Sequence, residues 1–355
     1  GIRDVERSRG LGDVYKRQIY SILRSLGADV RRTGVVRDSF NDIRAAVEKA
    51  LVESDVVVTI GGTSAGLEDK TYRVFDLYRP GIILHGVKVK PGRPLVIAAA
   101  GEKILVGLPG FPLSCYITAS LFLAPMVARL QGLRLDSPPE LEARLLAPVK
   151  GIAGVRCFVP VILGEDGAAY PLQTHSGRIA SLPLIDGFAV IPEDAEYVRP
   201  GANVKVVRFP GLRTYEANIL GSHCPVLERL ASRLRAEHAV RVVYVGSMGG
   251  LQMLRLRLAD VAGCHLYDAA SGEYNRPFLV KLGIKGVVLI RGYVREQGFV
   301  FRRGLDPPVG SLRDVLERGL RFINRNQGSG TRFLVDRLVE EEASRLGVEP
   351  DEVKS

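Results

Sequence analysis

The sequence contains no tryptophan, few aromatic residues (7%) and only four cysteines among its 355 residues. The cysteines lie far apart, and none has the C-x-x-C spacing that zinc and redox sites use. Nothing therefore indicates a disulfide framework, and a reducing cytoplasm is the default prediction. No apolar run approaches the length of a membrane span, and the N-terminus has no apolar signal-peptide region. Two cysteines lie in apolar runs and are predicted to be core thiols: Cys115 and Cys264.

The net charge of +10 raises the question of an anionic partner. The basic residues are scattered through the chain, and no basic stripe interleaved with aromatic residues accompanies them. This distribution argues against binding of nucleic acid or a membrane surface. A site for small anionic ligands explains the positive balance just as well.

A chain of this length is expected to hold two or three domains. Residues 1–18 are charged and aperiodic, so we predict a non-native or disordered lead. Residues 19–132 alternate helical and apolar strand patterns, which predict an α/β domain with a parallel sheet covered on both faces. Residues 133–210 form short alternating runs between Gly, Pro and Asp, which predict a small antiparallel β-barrel that folds separately. Residues 214–355 return to α/β alternation without a closing strand, so this domain is predicted to be incomplete.

The element predictions follow from caps and apolar periodicity. In the first region they are a helix ended by Gly27 and followed by a strand, a helix capped by Ser39 or Asp38, strands at Asp55–Ile60, Pro94–Ala100 and Lys103–Gly107, and a long helix that begins with Pro112. In the last region they are helices at Pro225–Glu237, from Ser247 onward, after Ser311 and in QGSGTRFLVDRL (residues 327–338), and strands at 240–245, 260–264, 286–294, 298–302 and 321–325.

The segment TIGGTSAGLEDKTYRV places two glycines directly after a buried apolar strand. Glycine lets backbone amides approach a ligand closely, and the start of the following helix adds unpaired N–H groups. The turn is thus a candidate anion cradle, in which Thr63 and Ser64 can supply hydroxyl groups. The simpler interpretation of Glu68 and Asp69 is that they stabilise the helix dipole.

Two further loops favour a ligand-binding site over simple stabilisation of the helix dipole. HGVKVKPGRP places Lys88, Lys90 and Arg93 on a Gly/Pro-rich loop, and GLPGFPLS is a rigid turn with Ser114 in the first turn of the next helix. In α/β sheets, ligands bind beyond the carboxyl ends of the strands. Three such loops are predicted to frame a polyanion, with one acid available for magnesium or for proton transfer.

Together, these three motifs resemble the catalytic domain of MoeA, the molybdopterin molybdotransferase of molybdenum cofactor synthesis. They also occur in the same order as in that family. The resemblance covers roughly Tyr20–Gly132, and the segment THSGRIASLPLIDGFAVIPEDAEYVRPGANVKV looks like the family's C-terminal β-barrel domain. It implies a transferase that inserts molybdate or tungstate into adenylylated molybdopterin and releases AMP, assisted by Mg²⁺. It also implies a homodimer formed partly through leading domains, and a molybdopterin adenylyltransferase as a partner.

Carried over to this sequence, the resemblance implies that Asp69 handles the metal or a proton, with Glu68 and Lys70 as neighbouring catalytic candidates. Two positions depart from the family pattern: Phe111 stands where many relatives have Asn, and Tyr72 where a lysine is frequent. The implied ligand-binding positions are Gly61, Gly62, Thr63, Ser64, Gly66, Lys88, Lys90, Arg93, Pro109, Gly110, Pro112 and Ser114.

The last region has three serine-containing elements at predicted helix starts: GSH, GSMGG and NQGSGTR. Hydroxyls and amides at helix N-termini suit a tetrahedral dianion, although each serine alone is more simply an N-cap. ADVAGCHLYDAASGEYN and FINRNQGSGTR resemble a periplasmic-binding-protein-like domain, related to molybdate- and tungstate-binding and LysR-type effector modules. The resemblance covers about Tyr215–Glu349. The resemblance adds His265 and Tyr274 as candidate cleft residues. The candidate oxyanion-binding residues from the helix-start elements themselves are Ser222, Ser247, Ser329, Thr331 and Arg332.

The main interpretation is therefore a cytoplasmic molybdopterin molybdotransferase with an appended oxyanion-binding domain. The alternative is a non-catalytic sensor that binds molybdate, tungstate or molybdopterin. Asp69 and the glycine loop favour the enzyme, whereas Phe111 and the lack of the family's leading domains in this sequence favour the sensor. A regulator of transcription lacks any helix-turn-helix signal in these residues.

Overall fold

The computed structural model describes residues 17–63, 70–135, 137–164, 166–172, 185–209, 215–294, 296–325 and 329–347. The chain divides into two compact units, residues 1–213 and 214–355.

The first unit begins with α/β elements. Its helices are α1 (residues 17–25), α2 (Phe40–Glu53), α3 (Lys70–Phe75) and α4 (Pro112–Leu130). Its strands are β1 (Val56–Ile60), β2 (Pro80–His85), β3 (Val89–Lys90), β4 (Val96–Ala100) and β5 (Lys103–Leu108).

Four of these strands form a sheet in the order β1-β5-β4-β2. Strands β1 and β5 are parallel, but β4 is antiparallel to both β5 and β2. The prediction of a parallel sheet is therefore wrong for the described strands, which form a mixed sheet. The physical reason is the connection: only Gly101 and Glu102 separate β4 from β5, whereas a parallel pair needs a crossover of a dozen or more residues.

The predicted strand after Gly27 is also wrong, because residues 28–37 carry no strand pairing. A cavity of about 1120 Å³ is lined both by residues 28–38 and by β1. The two segments are thus not hydrogen-bonded neighbours, and β1 is an edge strand of the described sheet.

The predicted starts of two helices are confirmed. Ser39 caps α2 by accepting a hydrogen bond from the Asp42 amide at 3.2 Å, and Pro112 lies in the first turn of α4. Within α4, residues Ala119–Leu123 are π-helical. By length and composition, α4 is apolar enough to cross a membrane, so the expectation that no run approaches that length is wrong. In its apolar 18-residue window, 67% of the residues are buried inside the fold.

The predicted β-barrel is present and closed. Its strands pair in the order β10 (Gly187–Ile191), β12 (Asn203–Val207), β6 (Glu140–Leu145), β9 (Ala168–Pro171) and β8 (Arg156–Leu163), and β10 also pairs with β8, which closes the barrel. The pairs are antiparallel except for β6 with β9. The region also contains two short strands that pair with each other, β7 (Val149–Lys150) and β11 (Tyr197–Val198).

The barrel and the mixed sheet do not pack independently. Strand β3, from the first α/β region, pairs in parallel with the start of β8. Phe188 and Phe209 of the barrel region lie 6.1 and 6.2 Å, ring to ring, from Tyr116 of α4, in one buried cluster with Leu95 and Ile117. The expectation of separate folding is thus corrected by a shared apolar core, while the boundary at residues 132/133 stays a prediction.

The second unit contains the parallel pair β13 (Ala217–Gly221) and β14 (Val240–Tyr244) and the hairpin β15 (Tyr267–Asp268) and β16 (Glu273–Tyr274). Ser311 starts its helix with a capping box, as predicted. The strand predictions at 260–264, 286–294, 298–302 and 321–325 are wrong, apart from one bridge at Val261. Their apolar patterns have no paired strand in the described part of this unit. Its helices are α5 (Pro225–Leu234), α6 (Gly246–Arg255), α7 (Arg276–Lys281), α8 (Leu312–Glu317) and α9 (Gly330–Leu346).

Candidate functional site

Two glycine turns meet at the carboxyl ends of the parallel strands β1 and β5. The Gly61 amide donates to the Leu108 carbonyl at 2.9 Å, which joins the end of one strand to the end of the other. A Cβ atom added to Gly110 would lie 3.3 Å from the Gly61 Cα. Gly61 and Gly62 have φ values of +93° and +69°, a region that favours glycine. The predicted glycine turn is therefore a close backbone contact at the strand ends.

The threonines at this turn stabilise the loop. The side chain of Thr63 is buried, at 2% exposure, and its hydroxyl donates to the Leu108 carbonyl at 3.2 Å. Thr71 is equally buried, and its hydroxyl oxygen lies 2.7 Å from where a Cβ of Gly62 would stand. Thr63, predicted to contact the ligand, instead uses its hydroxyl to hold the loop against β5.

The two predicted catalytic carboxylates fall outside the described residues. Ser64, Gly66, Glu68 and Asp69 lie outside the described residues. Lys70, the third catalytic candidate, directs its ammonium group to Asp38, 2.7 Å from the carbonyl and 3.1 Å from a carboxylate oxygen. The structure thus gives Lys70 a surface ion pair rather than a contact with the glycine turns.

The basic loop packs on the first turns of α4. A Cβ atom on Gly92 would lie 2.7 Å from the Thr118 methyl and 3.7 Å from the Ser114 carbonyl oxygen. This close approach places the loop of Lys88, Lys90 and Arg93 beside the proline–glycine turn. All three cations are exposed, and no carboxylate of the described residues lies within ion-pair distance of them. Their positive charge is therefore available to an anionic ligand.

The proline–glycine turn is rigid and mostly buried. Pro109, Pro112 and Ser114 are buried, and the Cys115 amide donates to the Phe111 carbonyl at 2.8 Å to close the first helical turn. Phe111 is the N-cap of α4, makes no side-chain capping bond and is 61% exposed. The turn thus presents a large aromatic side chain to solvent beside the two glycines.

A histidine that we did not predict also lies at this edge of the sheet. Because β2 is antiparallel to β4 and β4 to β5, β2 runs in the same direction as β5 and β1. Its last residue, His85, is at the same edge as Gly61 and Pro109. Its ring lies 4.5 Å from that of Tyr72, centroid to centroid. The position of His85 at the end of a strand was the available signal.

The resemblance to MoeA implies a magnesium ion. Mg²⁺ prefers oxygen ligands, usually one or two carboxylates together with substrate phosphates. Among the described residues, no group of three His, Cys, Asp or Glu side chains comes together. The described residues do not by themselves form a magnesium site, and the assignment of Asp69 stays a prediction.

In the second unit, Ser247 and His265, two of the six predicted oxyanion residues, are in contact, and the start of α9 packs on His265. Ser247, in the first turn of α6, is fully buried, and its hydroxyl oxygen lies 3.0 Å from His265 Nδ1. The start of α9 packs on the same histidine, since a Cβ on Gly330 would lie 2.7 Å from the His265 ring. Ser329 caps α9 by accepting a bond from the Arg332 amide at 3.2 Å. Two helix N-termini therefore meet at His265.

The other predicted residues of this unit have different contacts. The Ser222 amide donates to the Gly263 carbonyl at 2.8 Å, at the end of β13. The Arg332 guanidinium pairs with Asp336 at 2.6 Å, one helical turn further along α9. Tyr274 packs against the Tyr267 ring in the hairpin at 5.1 Å. Thr331 is half-buried in the first turn of α9. These contacts are structural, and none places the residue beside His265.

Three protein families match successive parts of the chain. Residues 7–129 match a family described as a probable molybdopterin binding domain, and residues 142–209 match the MoeA C-terminal region (domain IV). Residues 228–355 match a PBP superfamily domain. The first match begins inside the segment predicted to be a lead.

Similar proteins agree with these matches. The chain is 31% identical over 128 residues to a molybdopterin molybdenumtransferase of Staphylococcus epidermidis, covering 36% of this chain and 30% of that protein. It is 28% identical over 210 residues to molybdopterin molybdenumtransferase 2 of Mycobacterium tuberculosis, covering 55% of this chain and 51% of that protein. The chain thus spans about half or less of these relatives' lengths. A solved MoeA protein from Pyrococcus horikoshii is 34% identical over 55% of this chain and 47% of its own, with a TM-score of 0.48.

The resemblance inferred from the three loop motifs is thereby confirmed by independent matches to both MoeA regions in the same order. The fold agrees with them, since a molybdopterin-binding α/β region precedes a small closed barrel. The chain is a MoeA-type protein that carries a PBP-like domain.

Proposed function

We propose that the first unit, within the whole protein, binds adenylylated molybdopterin and inserts molybdate or tungstate with release of AMP. The observation that carries this proposal is the meeting of the two glycine turns beside the loop of Lys88, Lys90 and Arg93. Such an arrangement offers backbone amides and positive charge to a ligand with several phosphate groups. The relatives named as molybdenumtransferases support the same reaction class.

In this proposal the chain's own residues bind and orient the substrate. Lys88 and Arg93 neutralise phosphate oxygens, and the close contact of Gly61 with Gly110 keeps side chains out of the space where the phosphates lie. Asp69 takes or holds a proton, or binds the Mg²⁺ that would polarise the phosphate groups when present. Water adds its oxygen to the adenylyl phosphorus as the bond from that phosphorus to the molybdopterin phosphate oxygen breaks. AMP leaves with the new oxygen, molybdopterin keeps its phosphate, and the proton of the water passes to Asp69 or to solvent. We further propose a cytoplasmic homodimer that receives its substrate from a molybdopterin adenylyltransferase.

The test uses the full-length protein loaded with adenylylated molybdopterin and molybdate, with AMP release and cofactor formation as separate readouts. Asp69→Asn is expected to lower the rate of insertion about 10²–10⁴-fold, the usual contribution of a positioned acid or base. Asp76→Asn is the matched control, because Asp76 is an exposed carboxylate just after α3. Wild-type rates for Asp69→Asn would refute its role. If no form of the protein turned over while the ligand still bound, the sensor alternative would be favoured.

For the second unit we propose binding of a tetrahedral oxyanion, molybdate or tungstate, near His265. The meeting of the N-termini of α6 and α9 at this residue supports the proposal, because helix starts provide N–H donors and a positive dipole end. Molybdate and tungstate carry no proton at neutral pH, whereas phosphate does and needs an acceptor. The groups near His265 are chiefly donors: Ser247, Ser329 and helix-start amides.

Titration calorimetry on the whole protein tests this second proposal. We expect molybdate or tungstate to bind more tightly than sulfate, and sulfate more tightly than phosphate. Sulfate is smaller and would lose hydrogen bonds of about 1.5–3 kcal/mol each in a site sized for the larger ions. Ser247→Ala should weaken binding, whereas Ser232→Ala, on an exposed face of α5, should not. Tighter binding of phosphate than of molybdate would refute the assignment.

A further inference from the structure

Phe111 departs from two local rules at the same position. It is the N-cap of α4, where Ser, Thr, Asn or Asp would accept a bond from the helix start, and it makes no such bond. Its side chain is also 61% exposed, although an aromatic ring gains most from burial. Residues that depart from local rules without compensation inside the fold are found at functional sites.

We propose that Phe111 provides a stacking face for the planar ring of a phosphorylated heterocycle, the pterin or the adenine of the substrate. This inference rests on the function proposed for the first unit and adds a residue that orients the ligand. Aromatic side chains stack on the flat faces of heterocycles in an offset arrangement, largely independent of ring identity.

The backbone of Phe111 is held firmly, which a stacking platform requires. The Cys115 amide donates to the Phe111 carbonyl at 2.8 Å, and Pro112 fixes the backbone that follows. On the other side, Gly110 lies against Gly61, so closely that a Cβ added to Gly110 would be 3.3 Å from the Gly61 Cα. The Phe111 ring is therefore attached to the backbone at the junction of the two glycine turns. Because this backbone is already held, binding a ligand there would cost little further conformational entropy.

The surrounding charge fits a heterocycle that bears phosphate. Gly92 packs on Ser114 and Thr118. The loop of Lys88, Lys90 and Arg93 therefore lies beside the first two turns of α4, the helix that begins after Phe111. A ligand with its phosphate at the cations and its ring over Phe111 would satisfy both features at once. Neither feature alone requires a ring, but an exposed phenyl group next to three cations offers no advantage to a purely ionic ligand.

The absence of tryptophan from the sequence gives this inference a direct optical test. Phe111→Trp introduces a single tryptophan at the proposed face, and Ile83→Trp introduces one at a position on β2 with similar exposure, 67%. Each variant of the whole chain is titrated separately with neopterin monophosphate and with AMP. Quenching of the Phe111→Trp emission beyond that of the Ile83→Trp control is expected for the ring that stacks.

Affinity measurements complete the experiment. Phe111→Ala should weaken binding of the stacking ligand about 5- to 140-fold, the usual loss for one aromatic stack. Phe111→Leu keeps apolar bulk without a flat face and should lose nearly as much, whereas Phe111→Tyr should bind as the wild type. Thermal unfolding and sedimentation of each variant separate loss of the fold or of an oligomer from loss of the ligand.

The outcomes distinguish this inference from the function on which it rests. Loss confined to neopterin monophosphate assigns the pterin ring, and loss confined to AMP assigns adenine. Wild-type affinity of Phe111→Ala for both ligands would overturn the stacking role while leaving the proposed function standing. A change in oligomeric state without a change in affinity would make Phe111 a subunit contact and would likewise overturn it. If the wild type bound neither ligand, the proposed ligand class would fail, and the stacking role with it.

Discussion

Replacing Gly62 by alanine adds one methyl group at the turn that follows β1. Gly62 has φ +69°, and the added Cβ would lie 2.7 Å from the buried Thr71 hydroxyl oxygen. Both effects oppose folding, because a left-handed backbone is unfavourable for alanine and because the buried Thr71 side chain would have to shift to make room. The perturbation therefore measures how firmly the turn is held at its observed geometry.

The magnitude follows from three contributions. A left-handed conformation costs a residue with a Cβ about 1–2 kcal/mol. Overpacking a filled site costs about 1–3 kcal/mol. The stiffer unfolded chain of the alanine variant returns about 0.4–1 kcal/mol. We expect Gly62→Ala to lower the free energy of unfolding by about 1–5 kcal/mol.

Gly101→Ala is the matched control, because Gly101 has φ +62° but no atom within 4 Å of its added Cβ. It should cost about 0–2 kcal/mol, since only the backbone and unfolded-state contributions apply. Urea denaturation of each variant, followed by circular dichroism, gives the difference.

The double variant with Thr71→Ala isolates the clash. Removing the Thr71 hydroxyl and methyl should recover about 1–3 kcal/mol of the loss, measured as the coupling energy of the cycle. If Gly62→Ala were no more destabilising than Gly101→Ala, or if the coupling were zero, the close approach of Gly62 to Thr71 would be wrong.

Three further outcomes are expected. Phe188→Ala should destabilise the first unit by about 3–5 kcal/mol, because Phe188 is fully buried in the core that the sheet and the barrel share. The sheet and the barrel should still unfold in one urea transition, and two separate transitions would contradict the shared core. Burial raises the pKa of the Cys115 thiol to about 12, so native protein at pH 8 should resist iodoacetamide at this cysteine, as read by mass spectrometry. Hydrogen bonds from Lys281 and Ser271 lower the pKa of Asp268, so their contribution to stability is present above the ordinary pKa near 4 and is lost as the pH falls below it. Asp268→Asn should remove this acid-dependent part of the melting-temperature change.

Local signals in the sequence predicted local structure well. Ser39 and Ser311 cap helices as expected, and Pro112 opens α4, because caps depend on residues only a few positions apart. The glycine pair after the buried strand predicted the turn for a similar reason, since a positive φ is a property of the residue itself. The three loop motifs carried the family resemblance without any knowledge of the packing.

Pairing was harder to predict, because it depends on distant partners. The strand after Gly27 and those predicted at 286–294 and 298–302 have strand-like composition, yet composition does not reveal whether a neighbour is present. The sheet direction was in fact accessible: a connection of two residues between β4 and β5 excludes a parallel pair. Contacts such as Lys70 with Asp38, 32 positions apart, or His85 with Tyr72 leave no pattern in a single sequence.

The two-residue strand β3 has a consequence for how this protein can be taken apart. Its pairing with β8 fixes the loop of Lys88, Lys90 and Arg93 to the barrel, so the position of these cations depends on a barrel strand. The Lys88 carbonyl also accepts a bond from the Arg156 amide at 3.0 Å. A chimaera that exchanged only residues 19–132 with a relative would leave this edge mismatched and move the cations. The smallest transplantable module therefore extends through the barrel to residue 209.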